Sequence, residues 1–276
     1  MTAEWVPTGV DTTVPSPARI YDYFLGGKDN YASDRVAAEA FLRAAPQTLS
    51  ACRHNRAFLS RAVTHLVRDA GIDQFIDIGT GLPTQQNVHE VAQLHNPDAR
   101  VVYIDNDPIV AAHARALLAR TDGVALVQAD LHDPEGILAH PDVTNLIDFD
   151  RPVAVLLLAV LHFFPDADDP HGIVTRLMSA TAPGSHLVIS HGTSDPDPDI
   201  AHEAEQVYDR HSSASLHTRT AAEVSRFFTG TDLLTPGLVY TADWRPPPNT
   251  PTATPIESGM YAAIARKPQP PQAREP

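Results

Sequence analysis

The sequence predicts an α/β fold in which a mostly parallel sheet carries helices on both faces. From residue 74 onward, short apolar segments alternate with helical segments, and this alternation indicates parallel βαβ units. The apolar segments are nearly continuous, as in "VAVLLLAVL" (residues 153–161), which is typical of strands covered on both sides. A chain of 276 residues with 43% apolar residues is enough for one large domain with a sizeable core.

The first 71 residues predict a disordered start followed by helices. Residues 1–14 show no periodicity and are expected to be disordered. A short helix begins at Ser16 and Pro17, because Ser is a suitable N-cap and Pro a suitable first helical residue. Gly26 ends it. Two longer helices are predicted at residues 33–44 and 49–70. We therefore expect a helical unit over residues 15–71.

The sheet unit is predicted to span residues 72–267. Its strands are predicted at residues 74–79, 100–107, 124–130, 153–161 and 186–191. Its helices are predicted at residues 84–94, 108–118, 136–139, 169–179, 200–211 and 220–230. Two last strands, 237–244 and 260–267, flank a proline-rich loop and are expected to form a hairpin-like end to the sheet. The tail at 268–276 is expected to be disordered.

Charge and composition exclude several classes of function. The net charge of −14 argues against non-specific binding to nucleic acid or to anionic membranes, although it permits a small cationic ligand. The single cysteine, Cys52, rules out an intrachain disulfide and a cysteine metal cluster. The start of the chain does not resemble a signal peptide, and the longest apolar run, 153–161, is too short to span a membrane. We expect a cytoplasmic protein without a metal.

The segment "FIDIGTGLPT" (residues 75–84) is the main functional signal. It predicts a strand, a glycine turn and the start of a helix, and ligands of open α/β sheets bind at such strand ends. Because Gly79 and Gly81 lack a Cβ, the backbone there can approach a ligand closely. The residues of this loop expected in a cofactor site are Asp77, Gly79, Thr80 and Gly81. A nicotinamide dinucleotide fits less well, since its fingerprint requires a third glycine where Thr84 stands.

Acidic residues also end the next two strands. Asp105 follows the glycine turn by about two dozen residues and can accept both hydroxyls of a ribose. Asn106 is expected beside it, whereas Asp107 is expected to cap the next helix. Asp130 can hold an adenine amino group while Leu131 covers the ring; the alternative for Asp130 is a simple loop residue. The three strand ends together predict a nucleoside site more specifically than any one of them.

With these residues the chain resembles the class I S-adenosylmethionine-dependent methyltransferases. It is more closely similar to a mostly actinobacterial methyltransferase family long catalogued as a domain of unknown function. The segments that carry this resemblance are "ARIYDYFLGGKDNYASDR", "NRAFLSRAV", "FIDIGTGLPTQQNVHEVA", "VVYIDNDPIV", "RPVAVLLLAVLHFFPD" and "RFFTGTDLLTPGLV". The resemblance implies a Rossmann-like fold with seven strands, a terminal antiparallel strand and S-adenosylmethionine as the cofactor, which is converted to S-adenosylhomocysteine.

The helical unit at residues 15–71 is then interpreted as a lid over the strand ends. An aromatic wall near a sulfonium is favourable by about 0.5–2 kcal/mol, and closure of the lid excludes water. The residues expected to contact the cofactor from this unit are Tyr21, Gly27, Lys28, Asn30, Tyr31 and Arg56. Among them, Lys28, Asn30 or Arg56 is expected to reach the methionine carboxylate. The alternative is that the aromatic residues only anchor the helix.

The acceptor is less well defined by the sequence. His162 and His191 follow two strand ends and are the candidates for a general base, which methyl transfer needs only if the acceptor must lose a proton early. We expect a small-molecule acceptor, no nucleic acid, no membrane and a possible homodimer. Two alternative functions are a cofactor-binding regulatory or scaffold module without transfer activity and a nicotinamide oxidoreductase.

Overall fold

The computed structural model describes residues 10–83, 86–118 and 121–269. Within these residues the helices are α1 (Pro17–Phe24), α2 (Ala32–Ala44), α3 (Thr48–Arg68), α4 (Val88–His95), α5 (Pro108–Leu118), α6 (Pro134–Ala139), α7 (Pro141–Leu146), α8 (Pro170–Ser179), α9 (Pro198–His211), α10 (Ala221–Ser225) and α11 (Pro255–Ser258). The strands are β1 (Gln74–Ile78), β2 (Arg100–Asp105), β3 (Val124–Gln128), β4 (Ala154–Leu158), β5 (His186–Gly192), β6 (Asp232–Leu233), β7 (Val239–Tyr240) and β8 (Met260–Arg266).

The described strands form one mostly parallel sheet in the order β3-β2-β1-β4-β5-β8-β6, with β7 also paired to β8. Strands β1 to β5 are parallel to their neighbours, and β8 pairs antiparallel with β5. The predicted α/β class and the terminal antiparallel strand are therefore confirmed. The described sheet has eight strands rather than seven. The unpredicted strand β6 has two exposed residues, so it lacks the apolar pattern by which strands are recognised.

The apolar strands are buried on both faces because alternate side chains enter two separate cores. Phe75 of β1 packs with Phe58 of α3 on one face, whereas its neighbour Ile76 packs with Ile173 of α8 on the other. All five residues of β1 and of β4 are buried. Every parallel strand thus points its carboxyl end toward one edge of the sheet, where the loops meet.

The N-terminal helices are tied together by a buried ion pair. Nε of Arg19 in α1 lies 3.0 Å from a carboxylate oxygen of Asp34 in α2, and both side chains are buried. Arg19 also donates hydrogen bonds to the carbonyl oxygens of Asp11 and Val14. The segment predicted to be disordered comprises residues 1–14, of which residues 1–9 lie outside the described residues. Residues 10–14 are placed beside α1 by these bonds.

An aromatic cluster joins the same helices to α9. The rings of Phe24 and Phe41 have centroids 5.8 Å apart, and the Tyr208 ring of α9 meets Phe41 edge-on at 5.5 Å. Such pairs add to the stability gained from burial alone. The N-terminal helices are therefore packed on the body of the protein and are held at the edge of the sheet where the loops meet.

Several predicted boundaries differ from the structure. The strand predicted at 237–244 is only β7, because a 3-10 turn follows at once and the polypeptide turns to bury Trp244. The helix predicted at 220–230 is α10 followed by a 3-10 turn. Helix α7 was not predicted. The predicted start of the helix at Thr84 and residues 270–276 of the predicted disordered tail lie outside the described residues.

Candidate cofactor site at the strand ends

A cavity of about 530 Å³ lies at the carboxyl ends of β1, β2, β3 and β4. Its lining includes the glycine loop, both predicted strand-end acids and residues of helices α1 and α3. The predicted residues that line it are Tyr21, Arg56, Asp77, Gly79, Thr80, Gly81, Asp105, Asn106, Asp130 and Leu131. The structure thus brings most of the predicted candidate residues around one space.

The glycine loop after β1 has a backbone that other residues would disturb. Gly79 has a φ of +73° and Gly81 a φ of +66°, in the left-handed region that favours glycine. A Cβ at Gly79 would lie 2.5 Å from Cγ2 of Val160, so the loop and the segment after β4 are in close contact. The Gly79 amide donates to the Ile104 carbonyl at 2.8 Å, which continues the strand pairing into the loop.

Asp105 is held at the end of β2 by backbone amides. Its Oδ2 accepts a hydrogen bond from the Gly81 amide at 2.7 Å, and its Oδ1 accepts one from the Asp107 amide at 2.9 Å. Each carboxylate oxygen has a second lone-pair direction, so the group can still accept bonds from a ligand. Burial raises the pKa of Asp105 to about 6, although these backbone bonds oppose the shift.

Asp77 brings a second buried carboxyl group into the cavity. Burial raises the pKa of Asp77 to about 7, and the nearby Arg56 opposes that shift without cancelling it. Nη2 of Arg56 also donates to the carbonyl of Gln86 at 2.9 Å. The cavity therefore combines two buried carboxyl groups with the guanidinium group of Arg56, which suits a ligand that carries both a cationic and an anionic end.

Asp130 follows β3 and is engaged by a histidine. Its Oδ1 accepts bonds from the backbone amide of His132 at 3.0 Å and lies 2.7 Å from Nδ1 of the same residue. Partial burial raises the pKa of Asp130, but the bonds from His132 outweigh burial, and the net shift is downward. Nε2 of His132 lies 3.2 Å from Asp168. Asp130 is therefore an ionised acceptor at the cavity wall, beside the buried Leu131.

Tyr21 of α1 lines the cavity, and its hydroxyl belongs to a hydrogen-bonded network that the sequence did not predict. Nδ2 of Asn55 donates to the Tyr21 hydroxyl at 3.0 Å, and Oδ1 of Asn55 accepts from the Ser190 hydroxyl at 2.6 Å. Burial raises the pKa of Tyr21. The network links α1, α3 and β5, and Asn55 itself lines the cavity.

Four predicted lid residues lie elsewhere. Asn30 is buried and donates to the carboxylate of Asp22 at 2.8 Å and to the carbonyl of Gly27 at 3.2 Å, so it stabilises the turn after α1. Lys28 is exposed, and the buried Tyr31 packs with Leu82 and Ile109. None of Gly27, Lys28, Asn30 and Tyr31 is among the described residues that line the cavity.

The two candidate bases occupy different environments. His191 is fully buried: its Nδ1 donates to the Gly192 carbonyl at 2.8 Å, and its Nε2 accepts from Arg219 at 2.9 Å. It has no ring nitrogen left for a substrate, and it lines neither this cavity nor the one described next. We therefore withdraw His191 as a base and assign it to the support of Arg219.

His162 lies in a second cavity, of about 140 Å³, next to the first. Its Nδ1 accepts a hydrogen bond from the Gly192 amide at 3.3 Å. Burial, with the charge of Arg219, lowers the pKa of His162 to about 3. The side chain is therefore neutral at pH 7. With Nδ1 occupied as an acceptor, the proton resides on Nε2, so His162 is a hydrogen-bond donor rather than a base.

Two features of the site were missed in the sequence. The first is Arg219, which donates to the carbonyl of Phe164 at 2.9 Å and to Asp166 at 2.6 Å and so holds the segment after β4. The second is the segment 10–16, which contributes Val10, Asp11, Val14, Pro15 and Ser16 to the first cavity. No local pattern indicates either, since both depend on contacts between distant parts of the chain.

The fold and this site define a nucleoside-binding α/β protein of the kind that uses S-adenosylmethionine. A family model described as S-adenosyl methyltransferase matches residues 3–268, and the chain belongs to this family. It is an S-adenosylmethionine-dependent methyltransferase, so the predicted family, activity and cofactor are confirmed. The nicotinamide oxidoreductase alternative is thereby set aside.

Two solved structures are similar to the chain along nearly its whole length. One is a DUF574 family protein from Streptomyces avermitilis MA-4680, with 43% identity, a TM-score of 0.90 and coverage of 94% of this chain and 99% of that one. The other is a candidate methyltransferase from Thermobifida fusca YX, with 42% identity, a TM-score of 0.90 and coverage of 96% and 99%. No curated protein matches the chain at the same level of significance.

Two searches of the described residues complete the description of the site. No helix among residues 10–83, 86–118 and 121–269 has the length and apolar character required to cross a membrane. Within the same ranges, no three His, Cys, Asp or Glu side chains are grouped so that they could hold a metal ion.

Proposed function

We propose that this methyltransferase acts on a small-molecule acceptor and binds S-adenosylmethionine across the ends of β1, β2 and β3. The observation that supports this most directly is Asp105, whose two carboxylate oxygens are fixed by the amides of Gly81 and Asp107 inside the larger cavity. A carboxylate fixed in this way can accept two ribose hydroxyls without further reorganisation.

The remaining lining residues suit the other parts of the cofactor. Asp130 would accept from the adenine amino group while Leu131 packs on the ring. Asp77 would face the ammonium of the methionine moiety, and Arg56 its carboxylate, because opposite charges pair in a buried site. The Tyr21 ring would lie near the sulfonium. The residues present therefore fit the cofactor that the family uses.

The chemistry that bound S-adenosylmethionine supplies is a methyl group on a sulfonium, whose carbon–sulfur bond breaks with its electron pair on sulfur as an acceptor lone pair bonds to the carbon. The main contribution of the protein is alignment, which can supply on the order of 7–11 kcal/mol. His162 cannot take a proton from the acceptor through Nδ1 while that nitrogen accepts from Gly192. His162 would instead orient the acceptor by donating a hydrogen bond to it.

The same proposal includes a division of the chain into two functional units. Residues 15–71 act as the lid, residues 72–267 as the cofactor domain, and Tyr21, Asn55 and Arg56 are the contacts between the two. The net charge of −14 disfavours nucleic acid as the acceptor. A cytoplasmic location and a homodimer stay predictions.

Calorimetry with S-adenosylmethionine and with NAD, followed by a transfer assay, tests this function. We expect saturable binding of S-adenosylmethionine, none of NAD, and release of S-adenosylhomocysteine when a mixture of small acceptors is added. Binding without release from any acceptor mixture would support the non-transferring module instead. Absence of binding to the cofactor would contradict the proposed site altogether.

A further inference from the structure

We propose that the second cavity, of about 140 Å³, is the acceptor site and that it takes a neutral molecule presenting one aromatic ring. This inference rests on the proposed function, since it assigns the acceptor of the same reaction. Three arguments carry it: where the cavity lies, how large it is, and which side chains line it.

The cavity adjoins the proposed cofactor site through a shared wall. Pro17, Tyr21 and Phe163 line both spaces. Phe163 follows β4 in the segment held by Arg219, and its ring stacks on Tyr208 of α9 at 5.7 Å. The two cavities therefore meet at these three residues. Methyl transfer requires this kind of proximity.

The volume limits the part of the acceptor that can be enclosed. A cavity of about 150 Å³ lined by apolar side chains holds one benzene molecule. The second cavity, at about 140 Å³, therefore matches a single six-membered ring rather than a nucleobase with its sugar or a fused ring system. A larger acceptor would have to leave its remainder outside the cavity.

The lining is apolar and contains few ionisable groups. Its large apolar members include Ile20, Phe24, Phe41, Phe163, Leu216 and Met260. Asp197 is its one acidic member among the described residues, and that carboxylate already accepts from the Ile200 amide at 3.1 Å as the N-cap of α9. No Lys or Arg lines the cavity within the described residues. An ionised ring substituent would lose its hydration without gaining a counter-ion, so a neutral molecule is preferred.

His162 provides a hydrogen-bond donor that can orient a ligand in the cavity. His162 lines it with Nδ1 bound to the Gly192 amide, which leaves Nε2–H as a donor. No hydrogen bond joins Nε2 to any described part of the chain. A hydroxyl or carbonyl oxygen on the ring can accept a hydrogen bond from Nε2–H of His162, and this bond would hold the ligand in one orientation. The ligand class is thus a neutral, oxygen-bearing monocyclic aromatic molecule.

Methionine methyl signals provide a direct test, because the chain has three methionines and only Met260 lines the cavity within the described residues. Met178 is buried in the core between the sheet and α8 and serves as an internal control. Protein labelled with ¹³C at the methionine methyl groups is saturated with S-adenosylhomocysteine and titrated with p-cresol, benzoate or benzylammonium. A Met260→Leu sample assigns the signal.

We expect p-cresol to shift the Met260 signal in a saturable manner and to leave Met178 unchanged, with the two ionic probes at least tenfold weaker. Ala201→Leu, which fills the cavity from α9, should lower the affinity for p-cresol tenfold or more and leave the affinity for S-adenosylhomocysteine unchanged. Ala222→Leu makes the same change at an exposed position of α10 and should behave as the wild type.

The possible failures are distinguishable. If S-adenosylhomocysteine binds but p-cresol leaves Met260 unchanged, or if the ionic probes bind equally well, the acceptor inference is overturned and the proposed cofactor site stands. If S-adenosylhomocysteine itself does not bind, the proposed function fails, and the acceptor role fails with it. Because the Met260 titration uses the wild-type protein, it decides the question even where Ala201→Leu disturbs folding.

Discussion

The amide of Gly81 donates a hydrogen bond of 2.7 Å to Oδ2 of Asp105, which joins the loop after β1 to the end of β2. The turn that permits close approach of a ligand is thus positioned by the same carboxylate that is proposed to bind the ribose. Loss of that carboxylate would remove a ligand contact and a loop contact together.

Replacement of Asp105 by Ala should weaken the binding free energy of S-adenosylmethionine by about 1–3 kcal/mol, because charged hydrogen bonds to the ribose are lost. Calorimetry on the purified variant measures this directly. Asp232→Ala, at an exposed residue of β6, is the matched control and should bind as the wild type. Unchanged affinity in the Asp105 variant would remove this residue from the site.

Binding of S-adenosylmethionine should become stronger as the pH rises from 5.5 to 8. The pKa values of Asp105 and Asp77 are raised by burial to about 6 and about 7, so both groups are largely protonated at the lower pH. Only the ionised forms pair with a cation or accept two hydroxyls. We expect an affinity gain of at least about tenfold over this range, with net proton release near pH 6.5. Calorimetry in buffers of different ionisation enthalpy measures both quantities.

A double variant provides the control for this pH dependence. Asp77→Asn with Asp105→Asn removes both titrating groups, so its weaker binding should vary little with pH. A wild-type affinity that is independent of pH between 5.5 and 8 would contradict the proposed contacts of both carboxyl groups.

Asp77→Asn should stabilise the protein without cofactor at pH 8. The pKa of Asp77 rises on folding from 3.8 to about 7, so the native state holds the proton more tightly than the unfolded state. Stability contributed by this group is therefore lost as the pH rises from about 4 to about 7. The gain from the amide should be on the order of 1–4 kcal/mol at pH 8.

Thermal unfolding of the wild type and the Asn variant at pH 4 and pH 8 measures the effect. The two proteins should unfold at similar temperatures at pH 4, where the wild-type carboxyl group is protonated in the native state. A variant that is less stable at pH 8 would show that the ionised carboxylate is better compensated by Arg56 than burial implies. The same variant should bind the cofactor more weakly.

Asn55→Ala should destabilise the protein by about 1–3 kcal/mol, because the buried hydroxyls of Tyr21 and Ser190 each lose a partner. Urea unfolding measures this, with Asn145→Ala at an exposed position of α7 as the control. Affinity for S-adenosylmethionine should fall as well, since Asn55 lines the cavity. A fully stable variant would show that water replaces the amide in this network.

The sheet and the residues grouped at its strand ends could be predicted because their signals are local. The apolar run of β1, the glycine turn and the acids after β2 and β3 lie within short segments, and parallel strands bring their ends together in any such fold. Asp105 was predicted at a strand end without knowledge of distant contacts, and it lines the cavity there. The two-residue strand β6 had no such signal, since its pairing depends on β8.

The side-chain contacts of the N-terminal helices were harder to predict because they are directed by packing between helices. Asn30 and Tyr31 follow a glycine turn that resembles a ligand loop, yet Asn30 binds Asp22 and Tyr31 enters an apolar cluster. His191 lies within the last residues of β5, near where a catalytic residue is often found, yet it is buried against Arg219. Sequence position defines where a residue lies along its element but not which neighbour will engage it.

The bonds from Arg19 to residues 11 and 14 have a practical consequence for work with this protein. A shortened chain that begins at residue 15 would lack part of one wall of the proposed cofactor cavity and would leave the buried Arg19 guanidinium with fewer acceptors. Such a chain could fold and still retain its cofactor poorly during purification. The absence of periodicity predicts disorder for residues 1–14, but recombinant versions used for activity screens should keep residues 10–14.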